Sequence, residues 1–203
     1  MDSKRAIRQL GALARQGSEM RLAAESWASD FQILISTIMS ARTRDEVTIP
    51  VAEKLFKRYS NAQKLAKANI DDIKKIIRPI NFYNNKAKNI INCAKLLVRD
   101  YNCKIPHDIN ELLKLPGVGR KTANVFLAEH GKHALPVDTH VFYCSRKLGW
   151  AKNKNPHKVE EELRRLFPKR FWNKINTTLV RFGKTHTSRK QKDDLLNKIK
   201  NIK

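Results

Sequence analysis

A chain of 203 residues with 42 lysines and arginines against 19 aspartates and glutamates carries a formal charge of +23 and a pI near 10.2. That length admits one domain or two small lobes with a proper core, and the charge puts nucleic acid first among partners, ahead of an anionic membrane or ribosomal RNA. Cys93, Cys103 and Cys144 form no CxxC pair, which argues against a secreted disulfide framework. The first residues lack the apolar core of a signal peptide, and no stretch approaches a membrane span, so a soluble, intracellular protein without a membrane partner is expected.

In chain order, residues 6–15 have helical character, with Ile7, Leu10 and Leu13 on one side and Gly17 as the stop. Ser29 and Asp30 are cap candidates for residues 31–39, which are apolar nearly all round, as a helix central to a core is. The β-branched content there also permits a strand, against which the helical pattern that follows speaks. After a polar break at residues 40–44, residues 45–59 resume as helix, with Pro50 tolerable if the helix proper begins there. Asn61 caps residues 62–68, and a short helix over residues 70–77 ends before Pro79. Residues 84–101 are the most regular helix. Ala87, Ile90, Ile91, Ala94, Leu97 and Val98 share one face, while Lys86, Lys88, Lys95 and Arg99 face elsewhere, most of them expected in solvent.

Asp108 opens a short helix over residues 108–114, and Leu115-Pro-Gly-Val-Gly-Arg-Lys-Thr-Ala-Asn-Val-Phe-Leu127 follows. Gly117 and Gly119 permit positive φ in a tight turn. A second helix then begins, burying Ala123, Phe126 and Leu127. The N–H groups of the turn, with the unpaired donors of the new helix, form a phosphate cradle. Lys121 lies in that helix's first turn beside Arg120, where an ammonium is disfavoured by the macrodipole and the neighbouring cation, a suitable place for a lysine nucleophile. Asp138 follows the apolar Ala134-Leu-Pro-Val137. Each residue also has a plainer reading, Lys121 as a solvated lysine and Asp138 as the N-cap of the next helix. The combination with the glycine turn favours chemistry.

Residues 139–148 are helical, residues 149–156 form a loop, and residues 158–167 and 171–182 form two further helices. Val159, Leu163 and Leu166 make an apolar stripe, and Trp172 and Ile175 belong to the core, though one aromatic could face a partner. Residues 188–202 alternate charge with Leu195, Leu196 and Ile199 as an amphipathic terminal helix. With no βαβ pattern and no repeat, the fold class is all-α.

The stretches Leu115-Pro-Gly-Val-Gly-Arg-Lys-Thr-Ala-Asn124 and Val137-Asp-Thr-His140 closely resemble the helix-hairpin-helix DNA glycosylases of the endonuclease III type. The similarity extends to Ile35-Ser-Thr-Ile-Met-Ser-Ala-Arg-Thr-Arg-Asp45 and Phe82-Tyr-Asn-Asn-Lys-Ala-Lys-Asn-Ile-Ile91. The resemblance implies two helical lobes with a DNA cleft between them. One spans residues 31–132 and holds the helix-hairpin-helix at 108–130; the other combines residues 1–30 with 133–203. It implies a bifunctional glycosylase and abasic-site lyase that excises oxidised pyrimidines such as thymine glycol from duplex DNA and cuts 3′ to the abasic site, as a monomer. Lys121 attacks C1′ of the sugar, and Asp138 deprotonates the lysine or stabilises the charge at C1′. Gly117, Gly119 and Thr122 grip DNA phosphate.

Arg42 stands where many relatives carry glutamine and Phe82 where leucine is common, so the two are wedge candidates; the plainer alternatives are phosphate binding and core packing. Tyr83 and Asn84 are further DNA contacts, and Asp45 and His140 line the pocket, although His140 could equally be structural. Many relatives hold a 4Fe–4S cluster on four C-terminal cysteines, whereas the corresponding region, Arg181-Phe-Gly-Lys-Thr-His-Thr-Ser-Arg-Lys190, has none. No cluster, other cofactor or metal is therefore expected. Two other functions compete: a mismatch glycosylase releasing thymine or uracil, and a non-catalytic helix-hairpin-helix DNA-binding protein.

Overall fold

Helices form the regular structure of residues 2–202, which the computed structural model describes, and no strand occurs among the described residues. The all-α expectation therefore holds. The helices are α1 (Ser3–Ala14), α2 (Asp30–Ser40), α3 (Asp45–Arg58), α4 (Ala62–Ala66), α5 (Ile70–Ile77) and α6 (Tyr83–Asp100). They continue as α7 (Ile109–Lys114), α8 (Arg120–Glu129), α9 (Thr139–Leu148), α10 (Pro156–Leu166), a 3-10 turn (Lys169–Phe171), α11 (Trp172–Thr185) and α12 (Arg189–Lys200). Among the described residues no helix is long and apolar enough to cross a membrane.

The chain divides into two compact units, Arg21–Glu129 and the pair Met1–Met20 with His130–Lys203. The first is built on α2, which buries Phe31, Leu34, Ile35, Ile38 and Met39 against α3, α6 and α8. Side-chain caps start four of its helices: Ser29 accepts from Gln32, Asn61 from Lys64, Asn69 from Asp71, and Asp108 from Asn110 and Glu111. Each such cap contributes about 1 kcal/mol. The boundary expected at Phe31 lies instead after Met20, because the preceding residues pack into this unit. Arg21 pairs with Glu53 at 3.0 Å and lies over the Trp27 ring at 4.5 Å, while Trp27 meets Phe56 edge-on at 5.1 Å.

Three local expectations need correction here. Helix α3 begins at Asp45, with Pro50 inside it, not at Pro50; Asp45 and Glu46 complement the dipole of its first turn. Val98 is 39% exposed and lies outside the apolar face of α6. Lys86, grouped with the outward lysines, is buried.

In the unit formed by the termini, α1, α9, α11 and α12 enclose Leu13, Val141, Cys144, Leu148, Leu163, Phe167, Ile175, Leu179 and Phe182. The end of α12 is held by α1. Arg5 donates to the carbonyls of Ile202 (2.8 Å) and Lys200 (2.7 Å), and Gln9 to that of Lys200 (3.1 Å). A cation on the last carbonyls of a helix satisfies acceptors that have no partner within the helix. Gln9 is itself fully buried, and its carbonyl accepts from the Trp150 indole at 2.7 Å. A polar residue in the core of this unit is thereby satisfied on both sides.

Candidate active site

The connection between α7 and α8 is a turn closed by the Val118 N–H on the Leu115 carbonyl at 3.0 Å. Pro116 holds the second position and Gly117, at φ +83, the third, which is the arrangement of a type II turn. Gly117 is required twice over. A Cβ there would meet Asn89 Cβ at 3.0 Å and Ile38 Cγ2 at 3.1 Å, so the turn sits directly on α6 and α2. Gly119 differs from the sequence-based reading, since it is absent from the positive-φ residues of the chain. A Cβ at Gly119 would have nothing within 4 Å. Its carbonyl accepts from Ala123 at 2.9 Å and so starts α8. The turn is thus closed toward the core at Gly117 and open at Gly119.

Lys121 is exposed in the first turn of α8, one residue past Arg120. The opposite side of the helix buries Ala123, Asn124, Phe126 and Leu127. Thr122 lies with that inner side and is buried, 6% of the residue remaining exposed.

Lys121 belongs to the Arg21–Glu129 unit and Asp138 to the unit of the termini. Asp138 is half-buried and caps α9, its Oδ1 accepting from the Val141 N–H at 2.8 Å. That bond fixes the direction of the carboxylate. His140, two residues on, lies against α11 so closely that a Cβ on Gly183 would come within 2.9 Å of ring carbons Cγ and Cε1. The structural role that the sequence left open for His140 is therefore present.

Arg42 and Phe82 come together. The Arg42 guanidinium carbon lies 5.4 Å from the centroid of the Phe82 ring, and both side chains are exposed, Phe82 by 57%. Both residues are left-handed, at φ +58 and +60, a conformation that costs a non-glycine residue about 1–2 kcal/mol. Tyr83 is half-buried and Asn84 exposed at the start of α6, and Asp45 is half-buried at the start of α3.

Around this pair stand residues that the sequence reading missed. The Asn81 side-chain amide donates to the Arg42 carbonyl at 2.6 Å, and the Asn81 N–H donates to Thr43 Oγ1 at 3.1 Å. Lys86 is 6% exposed and donates from Nζ to the Met39 carbonyl (2.6 Å), the Ala41 carbonyl and Thr43 Oγ1 (3.2 Å). Burial pushes its pKa down to about 8, so it remains an ammonium at neutral pH. Its acceptors are carbonyls at the C-terminal end of α2, where a cation is favoured. No side-chain pattern could have announced carbonyl partners.

A helix-hairpin-helix in an all-helical chain, with an exposed lysine in the first turn of its second helix, places the chain among helix-hairpin-helix proteins. The sequence profile of the HhH-GPD superfamily base excision DNA repair protein matches residues 35–169, and the chain belongs to that family. An endonuclease III from Thermotoga maritima is 46% identical over 155 residues, 76% of this chain and 73% of the relative. The endonuclease III of Bacillus subtilis is 36% identical over 161 residues, 78% of this chain and 74% of the relative. Among solved structures, a trapped endonuclease III–DNA covalent intermediate aligns with a TM-score of 0.84 at 31% identity, covering 93% of this chain and 89% of that one. A thermostable thymine-DNA glycosylase aligns with a TM-score of 0.82 at 21% identity, over 93% of this chain and 90% of that one, and shares the fold.

These relatives overturn one expectation. The missing C-terminal cysteines argued for a protein without an iron–sulfur cofactor, whereas endonuclease III proteins normally carry a 4Fe–4S cluster. Freedom from a cofactor is accordingly withdrawn as a property of this chain. The cysteines present do not match the four-thiolate set such a cluster takes. Cys93 lies buried on α6 and Cys144 buried on α9, each with its thiol pushed up to about 12 by burial, and Cys103 is half-buried. The chemistry below uses none of them.

Proposed function

We propose that the protein excises oxidised pyrimidines, of the thymine glycol type, from duplex DNA, with Lys121 as nucleophile and Asp138 as its charged partner. As a family member with endonuclease III relatives, it is a DNA glycosylase and abasic-site lyase of base excision repair. The neutral Lys121 amine attacks C1′ as the glycosidic electron pair leaves with the base. The Asp138 carboxylate accepts the proton that the amine releases, or faces the positive charge at C1′. Ring opening gives an imine, and loss of a C2′ proton then expels the 3′ phosphate.

The observation that carries this reading is Lys121 standing exposed directly after a turn whose backbone is open at Gly119. Gly117, Gly119 and the N–H of Thr122 grip phosphate through the backbone. Arg42 and Phe82 form the wedge that fills the space left by an extruded base, at a few kcal/mol of unstacking. Tyr83, Asn84, Asp45 and His140 stand nearer the periphery of the reading. The two units serve as the two lobes, and the protein works inside the cell as a monomer. A mismatch glycosylase that activates water needs no such lysine, which favours the bifunctional reading.

Borohydride tests it, because it reduces an imine to a stable protein–DNA bond. Wild-type protein on lesion duplex gives the trapped species, and Lys121→Gln, which keeps the side chain's reach, gives none while still binding DNA. Full trapping in Lys121→Gln, or base release by the wild type with no trapping, overturns the assignment.

A further inference from the structure

Each half of the Arg42–Phe82 pair is held through Lys86. The Lys86 backbone N–H donates to the Phe82 carbonyl at 3.0 Å, and its side chain reaches the other loop, where it donates to Met39, Ala41 and Thr43. The three donors of an ammonium are thereby used in full. Asn81 adds the second brace, from its side chain to the Arg42 carbonyl and from its N–H to Thr43. Thr43 Oγ1 is the shared acceptor of both braces. One buried cation and one amide thus brace the two loops that carry Arg42 and Phe82.

We propose that Lys86 is a positioning residue that fixes Arg42 and Phe82 as one preformed stacked pair, so that guanidinium and ring enter duplex DNA together. This rests on the wedge reading of those two residues. Preformation matters because ordering two loops on the DNA would draw on the binding free energy that drives extrusion.

The test compares two forms of the same reaction, strand cleavage at an abasic site in duplex DNA with 2-aminopurine opposite, and cleavage at an abasic site in a single strand. Lys86→Met keeps the chain length and removes the donors. The duplex-to-single-strand rate ratio should fall roughly tenfold to hundredfold, the scale at which a displacement of about 1 Å acts on a positioned group. The rise in 2-aminopurine fluorescence that reports unstacking of the opposite base should slow by the same factor. Thr43→Val, which removes the shared acceptor without burying a charge, should move both readouts in the same direction. If Lys86→Met does not fold, Thr43→Val decides alone. Unchanged ratios and fluorescence in these variants, with both lowered in Arg42→Ala and Phe82→Ala, overturn the role of Lys86 and leave the wedge standing. Unchanged values in Arg42→Ala and Phe82→Ala overturn the wedge, and the proposal with it.

Discussion

Alanine at Gly117 and at Gly119 should separate the glycine the fold needs from the glycine DNA needs. At Gly117, φ +83 puts an alanine in the left-handed region, a cost of about 1–2 kcal/mol. Its methyl would also press on Asn89 Cβ at 3.0 Å and Ile38 Cγ2 at 3.1 Å, and overpacking of that kind costs about 1–3 kcal/mol. Gly117→Ala should therefore lose roughly 2–5 kcal/mol, a large share of a typical domain's stability. At Gly119 no atom lies within 4 Å of the added methyl. The lower entropy of the unfolded chain and the weaker cap at the start of α8 oppose each other, so stability should stay within about 1 kcal/mol of wild type. On the proposed phosphate grip, the methyl would instead stand where a phosphate approaches the backbone. Losing one charge-assisted hydrogen bond, worth about 1.5–3 kcal/mol, predicts at least about a tenfold weaker affinity for DNA. Urea unfolding followed by far-ultraviolet circular dichroism gives the first quantity, and fluorescence anisotropy with labelled duplex the second. Equal stability of Gly117→Ala and wild type, or a Gly119→Ala protein as destabilised as Gly117→Ala, refutes the division of labour.

Asp138→Asn should slow base release strongly yet leave thermal stability nearly unchanged, because asparagine caps a helix about as well as aspartate, whereas Asp138→Ala should also lose about 1 kcal/mol of stability. Equal stability losses in the two variants would mean that Asp138 serves α9 through its charge and not through its cap. Affinity for undamaged duplex should fall steeply with salt, with a log–log slope of roughly −0.9 per phosphate contacted; the formal charge of +23 motivates this, and a flat response between low and physiological salt would contradict it.

The helix-hairpin-helix was legible because its signals are local. Asp108 caps α7, the proline and first glycine set the turn, and the apolar spacing marks the inner side of α8. The different duties of Gly117 and Gly119 were hidden, since they depend on Ile38 and Asn89, which sit on other helices. Lys86 was hidden for a related reason. A helical pattern assigns a lysine among polar neighbours to solvent, and only the approach of the end of α2 supplies the carbonyls that make burial tolerable. Pro50 misled the reading of α3 because a proline looks like a first-turn residue. Its missing N–H is instead accommodated within a helix already under way from Asp45.

The magnitudes around Arg42 and Phe82 weigh against the core reading of Phe82 and support the proposed wedge. A phenylalanine that served only to pack would hide its ring, since burying such a side chain contributes about 1.5–3 kcal/mol. Here the ring is 57% exposed and its backbone is left-handed. Two left-handed residues side by side cost roughly 2–4 kcal/mol together. The hydrogen bonds from Asn81, at about 1 kcal/mol each, offset part of that cost, while the Lys86 ammonium fixes the geometry of the two loops and, with its pKa pushed down by burial, adds no net stabilisation of its own. Strain held in place by a buried ammonium and displayed at the surface is what a preformed wedge requires.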